Sequence, residues 1–81
     1  MKKYTFGKYE LEFDDEFVQE FEENVPDIFK DCIKGYLQTD FQCTSLAEIF
    51  ETHTIEEITE VIISAAKQEI ALYKGENYAP H

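Results

Sequence analysis

An α+β fold, mostly helical, is what the sequence predicts: an N-terminal two-stranded antiparallel β-hairpin packed on a cluster of about four α-helices, in the order ββαααα. Three observations carry that reading. Apolar and polar residues alternate from Tyr4 to Phe13, the period of a strand, around a Gly7-Lys8 dipeptide. Beyond Phe17 the apolar spacing changes to three and four, the period of a helix. Two S/T-x-x-E sequences, Ser45 to Glu48 and Thr54 to Glu57, have the pattern of a helix capping box.

The hairpin comes first. A two-residue Gly7-Lys8 turn suits type II′, which needs positive φ at its first central position. That register pairs Phe6 with Tyr9, Tyr4 with Leu11 and Lys3 with Glu12. Paired residues share a face, so Tyr4, Phe6, Tyr9, Leu11 and Phe13 form one apolar side, with Lys3, Thr5, Glu10 and Glu12 on the other. An isolated hairpin is marginal in water, so the aromatic side is expected to lie on helices.

Asp14 or Asp15 is placed to N-cap a first helix from about residue 15 to residue 24, with Phe17, Val18, Phe21 and Val25 inward. Pro26 interrupts it. Asn24 is then expected to cap the next segment, with Pro26 in its first turn and Ile28, Phe29, Cys32, Ile33, Tyr36 and Leu37 as its stripe. Gly35 weakens that helix and is expected to allow close approach of the hairpin. Residues 39–43 read as a loop anchored by Phe41. A short helix follows the Ser45 box, with Leu46, Ile49 and Phe50 inward. The last helix runs from about residue 55 to 74, offering Ile55, Ile58, Val61, Ile62, Ala65, Ile70 and Tyr73 to the core, and Gly75 is its expected C′ residue. Residues 1–75 thus form one small acidic domain, and 76–81 are expected to be a frayed tail.

Charge is the unusual feature. The 81 residues carry 18 acids and seven lysines, a formal charge of −11. Between residues 10 and 31 there are ten acids, namely Glu10, Glu12, Asp14, Asp15, Glu16, Glu20, Glu22, Glu23, Asp27 and Asp31, against the single Lys30, so this stretch alone carries −9. Glu16, Glu20 and Glu23 recur at helical spacing on the side opposite Phe17 and Phe21. Such a balance speaks against direct binding to nucleic acid, whose affinity comes from cations displacing counterions, and against docking on an anionic membrane. The helix–turn–helix rhythm of residues 45–62 has the same difficulty, because Glu56, Glu57 and Glu60 crowd the start of the would-be recognition helix.

Catalytic chemistry finds little support. His53 and His81 are the only histidines, and no nucleophile elbow, zinc-protease helix, phosphate loop or paired-cysteine motif is present. Asp14-Asp15-Glu16 lacks the alternating ligands, glycine and distal glutamate of a calcium loop. Thr44-Ser45-Leu46 overlaps in part with the Asp-Ser-Leu of acyl carrier proteins, but a threonine replaces the aspartate, and the capping box accounts for Ser45. Cys32 and Cys43 are expected as free thiols. No apolar run follows Met1-Lys2-Lys3, and none reaches the ~18 residues of a membrane span, so a cytoplasmic location is expected.

The sequence therefore points to a non-enzymatic, cofactor-free acidic protein that docks through those ten carboxylates on a basic, nucleic-acid-binding protein. In its sharp form it is a phage or mobile-element mimic of nucleic acid that inhibits a nuclease, such as a CRISPR nuclease, or a DNA-binding protein. The alternative is an interaction or assembly module, a homo-oligomer through apolar surface, whose acids serve only solubility.

Overall fold

The computed structural model describes residues 1–75. It contains β1 (Lys2–Phe6), β2 (Tyr9–Phe13), α1 (Asp15–Asn24), α2 (Phe29–Asp40), α3 (Leu46–Thr52) and α4 (Ile55–Lys74), the predicted ββαααα order. The expected tail, 76–81, lies outside the described residues.

The hairpin has the predicted register, with Phe6 opposite Tyr9, Tyr4 opposite Leu11 and Lys3 opposite Glu12. Gly7 has φ 62 while Lys8 stays out of the left-handed region, which selects type II′ over type I′. Leu11 and Phe13 are fully buried, and Tyr4, Phe6 and Tyr9 are half-buried against the core. Phe29 is the hub: its ring meets those of Phe13, Phe21, Phe17 and Tyr4 at centroid distances of 5.0, 5.1, 5.5 and 5.8 Å. Those contacts seat the hairpin on α1 and α2. Farther along, Phe50 of α3 stacks flat on Tyr9 at 4.6 Å. Ile58, Ile62, Ala66 and Ile70 run the length of α4 as its buried stripe.

The link between α1 and α2 departs from expectation. Val25 is extended (φ −101, ψ 131), as a residue before proline prefers, so Pro26 lies in the connection and not in a first helical turn. Asn24 does not cap α2; its side-chain amide donates to the Glu20 carbonyl at 2.8 Å, closing the end of α1. Ile28 holds the N-cap position of α2 and makes no side-chain cap. Facing solvent, it is 61% exposed and not part of the core. Ile55 and Tyr73 are likewise exposed, because the buried stripe of α4 is narrower than its apolar content. Gly35 permits no close approach, since a Cβ there would meet nothing within 4 Å. The expected loop at residue 39 is helical through Asp40, held by the Phe41 N–H donating to the Leu37 carbonyl. Phe41 is half-buried, and its ring meets that of His53 at 4.2 Å, tilted by 44°.

The caps of α4 match their motifs: Thr54 and Glu57 form the full capping box, and Gly75 ends the helix at φ 77. At α3 only half of the box forms. Ser45 Oγ accepts the Glu48 N–H at 3.3 Å, while the Glu48 carboxylate turns to the Cys43 thiol at 3.5 Å.

Candidate protein-docking face

The acid-rich segment folds into three consecutive pieces of surface. Glu10 and Glu12 stand on the outer side of β2, across from Thr5 and Lys3. Asp14 holds the N-cap position of α1, which it opens through its backbone carbonyl and not its carboxylate. Asp15, Glu16, Glu20, Glu22 and Glu23 lie along α1, Asp27 in the link, and Asp31 in the first turn of α2. All ten side chains are exposed. Val18 and Phe21 anchor α1 from beneath, so its outward stripe is Glu16, Glu20 and Glu23.

The carboxylates differ in what they already hold. Lys74, at the far end of α4, reaches Glu20 at 2.8 Å, and the Met1 ammonium lies 3.5 Å from Asp15. Gln19 donates its amide to Glu23 at 3.0 Å. Glu22 accepts the backbone N–H of Phe29 at 3.1 Å, completing the start of α2 that Ile28 leaves uncapped. Sequence reasoning missed these roles for Lys74 and Glu22. Lys74 is 54 residues from Glu20, and no local pattern announces such a contact. Glu16 and Asp14 line an open groove beside α1, together with Asp15, Glu20, the half-buried Phe17 ring and Met1, whose ammonium faces Asp15. That geometry suits a guanidinium or ammonium laid over an aromatic face between carboxylates.

The field of this segment reaches the hairpin. Burial pushes the Tyr4 phenol above its ordinary value, and the Glu22 and Asp15 carboxylates add to the effect.

The residues weighed for chemistry are occupied at helix ends. His53 Nδ1 is 2.9 Å from Thr52 Oγ1 and 3.3 Å from the Ile49 carbonyl, at the C-terminus of α3. Ser45 is an N-cap. Cys32 and Cys43 are free thiols. Among the described residues no group of three or more His, Cys, Asp or Glu side chains could hold a metal ion, and no helix is long and apolar enough to cross a membrane.

The chain matches no protein-family model, no curated protein and no solved structure. Its function is therefore argued from the face itself.

Proposed function

We propose that this is a non-enzymatic binding protein whose acidic face docks on a basic, nucleic-acid-binding protein, in the sharp form as a mimic of nucleic acid that inhibits a nuclease or DNA-binding protein in the cytoplasm. One observation carries the reading: all ten acids of residues 10–31 are exposed on consecutive elements, and α1 holds Glu16, Glu20 and Glu23 as one outward row on a buried anchor. Neighbours at i, i+4 on a helix stand about 6 Å apart, close to the spacing of phosphates along a strand, so a groove built for phosphates accepts the row. The field around the row steers a basic partner and fixes its register. Like charges at this spacing cost the helix a few tenths of a kcal/mol per pair, and lysines at some of these positions would give equal solubility with added ion pairs.

The test begins with the protein immobilised, exposed to nuclease-treated lysate of its host and eluted with a salt gradient. A basic nucleic-acid enzyme or regulator is expected at moderate salt. The Glu16→Lys/Glu20→Lys/Glu23→Lys variant should remain folded and lose that partner. Retention of the same partner by the triple variant, at unchanged salt dependence, would refute the assignment.

A further inference from the structure

At the opposite end of the hairpin from α1 the surface has a different character. A cleft of about 330 Å³ opens between the Gly7-Lys8 turn and α3. Phe6, Tyr9 and Leu46 line it half-buried, and the Phe50 ring, flat against Tyr9, forms its floor. These apolar groups belong to the core cluster, yet their outer faces meet water. Among the described residues two charges border the cleft: Lys8 on the hairpin wall and Glu51 on the helix wall. Lys8 Nζ sits 5.5 Å from the Tyr9 ring centroid, and Lys8 forms no ion pair with Glu51.

We propose that this cleft is where a second copy of the chain docks, about a two-fold axis that sets each copy's Lys8 against the other's Glu51. The argument is one of charge. A chain of net charge −11 repels its own copies over most of its surface. The groove beside α1 sets the carboxylates of Asp14, Asp15, Glu16 and Glu20 against the Met1 ammonium, an excess of negative charge, whereas this cleft carries one cation and one anion on facing walls. A two-fold rotation brings the hairpin wall of one copy onto the helix wall of the other, which makes the rim self-complementary. The same rotation covers Phe6 and Tyr9 of each copy with Leu46 of the other. Strands of about 17 Å separate the turn from the start of α1, so the like-charged helices stay apart while the clefts close. In this dimer the two acidic faces point outward, leaving both free for the docking proposed above.

Sedimentation equilibrium over a wide concentration series, at physiological ionic strength, tests the proposal. Wild-type protein is expected to show a concentration-dependent dimer. Lys8→Glu and Glu51→Lys should each weaken association about tenfold, because symmetry counts each lost pair and each new repulsion twice. The Lys8→Glu/Glu51→Lys double variant should restore it. Ala47→Arg, at an exposed position on the cleft wall, should prevent dimerisation outright. All of these positions are exposed, so each variant is expected to fold, and circular dichroism is the check. A monomer at every concentration overturns the proposal, and so does a dimer indifferent to these changes or a double variant no better than the singles. The Glu16→Lys/Glu20→Lys/Glu23→Lys protein should dimerise at least as well as wild type, so the two proposals can fail separately.

Discussion

Lys74 of α4 and Glu20 of α1 meet at 2.8 Å, tying the end of the last helix to the middle of the acidic row. Both side chains are substantially exposed, and an exposed pair of this kind contributes only about 0–1 kcal/mol. Its larger consequence is electrostatic, because it neutralises the centre of the row. Lys74→Met should therefore lower stability by less than about 1 kcal/mol in urea denaturation. The same change should tighten binding to a basic partner and steepen its salt dependence. Unaltered or weaker binding would mean that Glu20 lies outside the contact.

The acids of residues 10–31 are not equivalent, and Glu22 is the one the fold uses most directly. It accepts the Phe29 N–H at a helix start that has no other side-chain cap. Glu22→Ala should cost about 1 kcal/mol, the usual loss when an N-terminal acceptor is removed. Glu22→Gln keeps an acceptor oxygen and should recover most of that loss. Glu16→Ala, with no such duty, should stay within about 0.5 kcal/mol of wild type. Chemical denaturation of the three variants side by side decides this.

The sequence was legible wherever the governing interactions are local. The hairpin register follows from one turn and strict alternation, and the capping box of α4 spans only Thr54 to Glu57. The α1–α2 link was misread because its cap comes from Glu22, seven residues before Phe29 and on the preceding helix. Asn24, a good cap by residue type, was diverted to the end of its own helix. Nine of the ten carboxylates lie on the elements the pattern gave them. Asp27, expected inside the second helix after Pro26, lies in the link because α2 begins only at Phe29. Which carboxylates hold internal partners did not follow from the pattern, since Lys74 and the Met1 ammonium reach them only after the chain has folded.

Phe29 and Ile28 are adjacent in sequence and opposite in consequence. Phe29 is fully buried among four aromatic rings, whereas Ile28 is 61% exposed. Truncating a buried Phe costs about 3–5 kcal/mol, against a total of roughly 4–12 kcal/mol for a chain of this size. Phe29→Ala should leave the protein largely unfolded or very weakly folded at room temperature. Ile28→Ala should leave the stability within about 0.5 kcal/mol of wild type. Thermal melts followed by circular dichroism report both.

The alkaline limit of stability should be set in part by Tyr36. Its hydroxyl is shielded from solvent without a well-formed hydrogen bond, and the Cys32 thiol is the polar group beside it. Burial pushes the phenol well above its ordinary value, helped by Cys32, Glu69 and Asp27. Tyr4 and Cys32 are also raised, chiefly by burial. For each group the folded state favours the protonated form. Its contribution is therefore fully present below the unfolded pKa and is lost as pH rises above it, about 8.5 for a thiol and about 10 for a phenol. Stability should consequently fall as pH is raised from about 9 to about 11. Tyr36→Phe removes the strongest of the three shifts and should flatten that decline. At neutral pH it should stabilise the protein by about 1 kcal/mol, because a buried hydroxyl without a well-formed hydrogen bond is disposed of. Urea midpoints at neutral and alkaline pH test both parts, and an alkaline arm superimposable on that of wild type would show that Tyr36 ionises as freely in the folded chain as in the unfolded one.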